Sequence, residues 1–211
     1  MKLLVLIISC KKNQYLWDSI LKVHPDAIIV CGIPNLKVNY ILSNSILYVR
    51  ADDSYIGLPQ KIISMFNVVN TDNSFKEYTH FLKLDDHDTY YKNETITKLN
   101  NLEHLNKLDY FGQKVETKFT SGIMLNHLFN SNSIWSNRTY NRPFRPFLHG
   151  GGGYIVSKYS IQCICKQYSF NNLYKIPYIY SLEDAMIGEL LYNYKINPVQ
   201  VKLGIYSMRD P

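Results

Sequence analysis

The chain has 211 residues, 46% of them hydrophobic and 19% charged, which excludes a disordered chain and suits one domain with a sizeable core. A formal charge of +6 admits a polyanionic partner, but the lysines are dispersed. The densest basic group, Arg138, Arg142 and Arg145, is broken by prolines, so no nucleic-acid surface is expected. Four cysteines without CxxC spacing exclude a zinc knuckle, and no apolar run reaches transmembrane length.

In chain order, residues 3–9 predict a central strand, continuous and apolar, too short and too soon followed by Lys11-Lys12 for a signal peptide. Residues 14–23 have helical spacing, with Leu16, Ile20 and Val23 on one stripe. Strands follow at 27–31 and 46–49, the second ending in Asp52-Asp53. Residues 58–69 predict a helix that buries Ile62, Met65, Phe66 and Val69, with Pro59 in its first turn. A strand at 78–84 runs into Asp85-Asp86-His87-Asp88. This alternation predicts a mixed, mostly parallel α/β sheet flanked by helices, with ligands beyond the carboxyl ends of its strands. Further on, the pattern predicts a helix at 93–105 and strands at 108–112, 154–156 and 198–201. It also predicts helices from Ser157 and over 183–194. Cys163 and Cys165, spaced C-x-C in a helix, point to different faces and read as reduced thiols.

Four constellations carry chemistry. Carboxylates crowded at a strand end repel one another, and a divalent cation bridging to a diphosphate relieves that repulsion in Asp85-Asp86-His87-Asp88; the alternative is a solvated acidic turn. A haloacid-dehalogenase phosphatase fits poorly, because Tyr90 stands where a Thr or Val belongs and the motif is not on the first strand. The run His149-Gly150-Gly151-Gly152-Gly153-Tyr154 permits close backbone approach to a ligand, or is a plain turn; it is neither a dinucleotide fingerprint nor a phosphate loop. In Ser181-Leu182-Glu183-Asp184, Ser181 and Asp184 form a capping box, or Asp184 is a general base. Asp53, with Lys61 on the next helix, is a turn residue or reads a donor ribose or base.

Taken in order, these pieces resemble the β-1,3-glycosyltransferases of glycosyltransferase family 31, with their Fringe and core-1 galactosyltransferase relatives. Asp53-Ser54-Tyr55-x-x-Leu58-x-x-Lys61 is similar to the family's D-S-Y-x-N-L-T-x-K, and Phe81-Leu82-Lys83-Leu84-Asp85-Asp86 to its F-L-K-x-D-D-D. Trp135, the 140–146 stretch and Gly151-Gly152-Gly153-Tyr154-Ile155-Val156-Ser157 are similar to its W…Y-P…G-G-G-Y-V-x-S, and Glu183-Asp184-Ala185-x-x-Gly188 to its E-D-V-x-x-G. The compact form is also similar to capsid-glycosylating transferases of large algal viruses.

The resemblance implies a single GT-A domain over 1–211, with a nucleotide-sugar half to about 112 and an acceptor half from about 113. It implies a UDP-sugar donor, Mn²⁺ (or Mg²⁺), inversion at the anomeric carbon, and a glycan or glycoprotein acceptor. Carried over by position, Asp184 is the catalytic base. Ser9, Asp53, Lys61, Asp85, Asp86 and Gly152 hold the donor, while His149, Tyr154 and Glu183 shape the sugar and acceptor pocket. The third Asp of the family's triplet is His87 here, so the metal pair is Asp86 with Asp88, or Asp85 with His87; two carboxylates suit a hard cation better. The family's late metal-binding histidine has no counterpart after Asp184. The secretory relatives' membrane anchor and cysteine pairs are also missing, so a cytoplasmic enzyme, in host cytoplasm if viral, is expected. A non-catalytic module of the same fold, an RNA-binding domain and a nucleotide hydrolase are the alternatives.

Overall fold

The computed structural model describes residues 1–86, 89–91, 93–117, 142–203 and 205–207. Strand β1 (Leu3–Ile8) is buried on both faces, as its unbroken apolar run requires. Its side chains alternate: Leu4, Leu6 and Ile8 enter the larger core, and Leu3, Val5 and Ile7 the smaller one behind the sheet. A 3-10 segment, Lys11–Leu16, precedes helix α1 (Trp17–Val23). The inward residues of α1 are Trp17, Ile20 and Leu21, whereas Val23, expected inside, is exposed. The helix starts three residues later than its spacing suggests, which turns the stripe.

Strand β2 (Ile28–Gly32) pairs parallel with β1, and β4 (Ile46–Val49) with β2. Between them in sequence comes β3 (Tyr40–Ser43), which pairs antiparallel on the outer side of β4 and is missing from the sequence reading. Its hairpin turns on Asn44 and Ser45, both at positive φ (49° and 62°), a geometry usually announced by Asn-Gly. Helix α2 (Leu58–Thr71) buries one face almost completely, and β5 (His80–Asp85) pairs parallel with β1 on its other side.

Strand β6 (Thr89–Tyr91) pairs antiparallel with β12 (Ile205–Ser207). Helix α3 (Asn93–Asn101) ends four residues before the expected stop, since Leu102 is extended and a 3-10 turn, Glu103–Lys107, lets Leu105 bury. Asn100 and Asn101 are weak helix formers, so the break costs little.

Strand β7 (Tyr110–Gly112) and the short pair β8 (Val115–Glu116) and β9 (Phe147–Leu148) follow. Strand β10 (Tyr154–Ser157) then runs antiparallel between β5 and β7. Helix α4 (Lys158–Gln167) is capped by Ser157 Oγ, and α5 (Ile176–Ile179) and α6 (Glu183–Tyr192) complete the layer over the larger core. Strand β11 (Val199–Gln200) is parallel to β7.

The sheet order is β11-β7-β10-β5-β1-β2-β4-β3, a mixed, mostly parallel sheet flanked by helices, as the alternation predicts. Strands from both halves of the chain share it. The carboxyl ends of β1, β2, β4 and β5 form one rim, and the strand order reverses beside β1, where open α/β sheets bind ligands. No helix among the described residues is long and apolar enough to cross a membrane. The cysteines are free thiols.

Candidate active site

Asp85 closes β5, and the next residue continues the ladder, its backbone N–H donating to Ile8 O at 3.1 Å. The Asp86 carboxylate is oriented by the first turn after β1. It accepts from Ser9 Oγ at 2.5 Å and Asn13 Nδ2 at 3.0 Å, and Ser9 Oγ in turn accepts from buried Trp17 Nε1 at 2.7 Å. Ser9, expected at the donor, is therefore only 4% exposed and orients Asp86 from below. His87 and Asp88 lie outside the described residues.

Lys83 points to the same side of β5 as Asp85, two residues on, and is buried. A buried ammonium needs anionic partners, and Lys83 Nζ lies 2.8 Å from Asp85 Oδ1 and 3.4 Å from Glu183 Oε2. Burial opposes its charge, but Asp85, Glu183 and Asp184 outweigh that cost and hold it protonated well above the usual lysine range. Burial raises the Asp85 carboxyl, partly offset by Lys83. Burial also pushes Glu183 up to about 8, against Lys83 and with help from neighbouring Asp184.

Tyr154 and Glu183, expected to shape the sugar and acceptor pocket, are both buried. The Tyr154 hydroxyl donates to Glu183, and Lys83 Nζ sits 5.6 Å from the centre of the Tyr154 ring. An apolar ring with one hydroxyl can seal a charged cluster from beneath without leaving its polar atom unpaired.

The expected capping box is not formed. Helix α6 starts after Leu182 with no side-chain cap, and the Ser181 hydroxyl is buried without a partner. Asp184 instead reaches the glycine run, where its Oδ2 accepts from Gly150 N–H at 2.8 Å. A Cβ on Gly150 would stand 2.2 Å from Asp184 Oδ1 and 2.9 Å from Lys83 Nζ, so the base candidate and the buried cation flank this glycine closely. Gly150 is thus the sterically required glycine. Gly152, assigned to the donor from sequence, would meet only Gln113 Cβ at 3.8 Å, while Gly153 is required by its φ of 72°.

His149 is half-buried next to the run, and burial lowers its pKa, with Lys114 adding to the effect, so its imidazole is neutral near pH 7. Tyr55 extends from the turn before α2. Tyr55 is 53% exposed overall, yet burial pushes its hydroxyl up to about 12, and repulsion from Asp184, Glu183 and Asp85 adds to this.

The pair Asp53 and Lys61 is directed into the fold. Lys61 Nζ is buried on Ser9 O (2.8 Å) and Asp53 Oδ1 (2.6 Å), and Asp53 also accepts from Gly32 N (2.8 Å) and Lys11 N (2.6 Å). These bonds tie the loops after β1, β2 and β4 together, so the pair braces the rim. Sequence reasoning quoted Lys83 and Tyr55 without giving them roles. A lone lysine inside an apolar strand was the available signal, because such a charge demands partners.

A family model described as Galactosyltransferase matches residues 42–202 of this chain. No curated protein matches. Among solved structures the chain is similar to a glycosyltransferase involved in glycosylation of the major capsid of PBCV-1. The two are 12% identical over 94% of this chain and 81% of that one, with a TM-score of 0.38.

Proposed function

The chain belongs to the galactosyltransferase family, and from that premise we propose that it moves a hexose or deoxyhexose from a UDP-sugar to a glycan or glycoprotein hydroxyl, inverting the anomeric carbon. One observation carries this reading: buried Lys83 gathers Asp85, Glu183 and Asp184 at the end of β5, with Asp86 fixed next to them. Carboxylates outnumber the cation even with Glu183 protonated, so the rim keeps an excess of negative charge.

That excess fits a divalent cation. Among the described residues no group of three or more His, Cys, Asp and Glu is arranged for a metal. Two strand-end carboxylates nevertheless match the sparse protein share of a Mg²⁺-like site, which substrate phosphates and water complete. Asp85 and Asp86, with the adjoining His87-Asp88, are the residues to hold it. When bound, such a cation neutralises charge on the departing diphosphate.

Asp184 takes the proton of the acceptor hydroxyl, whose oxygen forms the new bond to the anomeric carbon. The bond to the diphosphate breaks on the opposite side, and its electron pair leaves with UDP. Gly150 N–H aims the Asp184 carboxylate, and His149 directly precedes that glycine.

UDP-sugar turnover with Mn²⁺, with EDTA, and in Asp86→Ala and Asp184→Ala tests the reading. Loss of transfer in all three is expected. Unchanged turnover in EDTA would remove the cation, a fully active Asp184→Ala would remove the base, and donor binding without turnover would favour a non-catalytic module.

A further inference from the structure

A cleft of about 590 Å³ opens on the same rim, beyond the carboxyl ends of β2 and β4, and the reading above gives it no role. Its walls include Arg50, Asp52, Gln60, Phe170, Asn171 and Tyr174. We propose that this cleft binds neutral carbohydrate, holding the remote units of an oligosaccharide whose reacting hydroxyl lies at Asp184. The proposal rests on the transferase reading for that last clause alone.

Three features support it. The volume lies within the roughly 300–1,000 Å³ typical of small-ligand sites. The lining combines aromatic faces with amide, carboxylate and guanidinium groups, which suits the apolar faces and hydroxyl edges of a sugar. Arg50 is balanced by Asp52, so the cleft presents no net positive charge to draw phosphate.

The walls are also held in place before any ligand arrives. Phe170 stacks on Tyr40 with centroids 6.4 Å apart and planes 13° from parallel. Arg50 Nη2 donates to Asn39 Oδ1 at 3.0 Å, and Asp52 Oδ1 accepts from Ser54 N at 2.8 Å. Tyr174 remains 63% exposed, an aromatic face turned outward at the cleft.

The cleft is also continuous with the acidic cluster. Asp52 in the cleft wall caps the turn that carries Tyr55, which closes by Gly57 N to Ser54 O at 3.1 Å, and the charge of Asp184 reaches the Tyr55 hydroxyl. A Cβ on Gly57 would stand 2.2 Å from Asp52 O, so the turn folds back tightly onto Asp52. Three residues span at most about 11 Å, so one extended ligand can touch Tyr55 and the cleft together.

The test uses the full chain and a panel of defined neutral oligosaccharides, α- and β-linked hexose, pentose and deoxyhexose chains, presented on an array without nucleotide. Hits are then titrated by saturation-transfer NMR. Binding by the wild type, weakened about tenfold in Tyr174→Ala and in Arg50→Ala with unfolding temperatures retained, supports the cleft. A panel that binds nothing, equal binding by wild type and variants, or displacement of the sugar by UDP overturns it. UDP-sugar hydrolysis is measured on the same samples. Its loss in the wild type defeats the transferase reading, while hydrolysis that persists without cleft-dependent sugar binding defeats only this inference.

Discussion

Lys61 and Lys83 are both buried, and both reach carboxylates at the sheet's rim. Lys61 meets one carboxylate, Asp53, whose oxygens also accept from Gly32 and Lys11, so charge and hydrogen bonding close on themselves. Lys83 faces Asp85, Glu183 and Asp184, and the balance stays negative. The difference separates a brace from a working site. A compensated pair holds loops together, whereas an overcompensated cation leaves charge for a ligand to neutralise.

The sharpest break between the two is expected at the base. Asp184→Asn, nearly isosteric and still able to accept from Gly150, should lower kcat about 10²–10⁴-fold with little change in donor KM, read by steady-state UDP release. The matching change at the brace, Asp53→Asn, should show mainly as a lower unfolding temperature.

Next come the lysines. Lys83→Met should destabilise by about 3–5 kcal/mol in urea unfolding, because it leaves buried Glu183 and half-buried Asp85 without their cation, and Lys61→Met by less, because Asp53 is part-exposed. Only Lys83→Met should also alter the Mn²⁺ concentration needed for turnover; an equal effect from Lys61→Met would erase the distinction. Gly150→Ala should cost about 10²-fold in kcat/KM while the protein stays folded, since it displaces Asp184 and Lys83 rather than core packing.

The last contrast is the pH dependence of stability. Glu183 has a folded-state pKa raised to about 8, so the native state holds its proton more tightly than the unfolded chain. Stability from this group is present at pH 4 and is lost as pH rises toward 8. Thermal unfolding followed from pH 5 to 8 should flatten in Glu183→Gln, and an identical slope in the variant would reject the assignment.

The arginines of the densest basic group in the sequence bear on the same contrast. Arg142 pairs with Glu189 over the Tyr180 ring, and Arg145 lies 4.2 Å from the centre of the Tyr192 ring. Both are docked on the helical layer around α6, and Arg138 lies outside the described residues.

Periodicity alone determined the parallel strands β1, β2, β4 and β5 and helix α2, because an unbroken apolar run or a 3.6-residue stripe has few ways to be buried. It also placed the acidic cluster at a strand end, and the order of the motifs made the family legible. Tertiary structure decided which polar groups face outward. The resemblance implies ligand roles for Ser9, Lys61, Tyr154 and Glu183, and the fold buries all four. Lys83 and Gly150 emerged only when β5, the glycine run and α6 met. Spacing says which residues share a face; burial and charge balance depend on segments distant in sequence, and these separate a brace from a site.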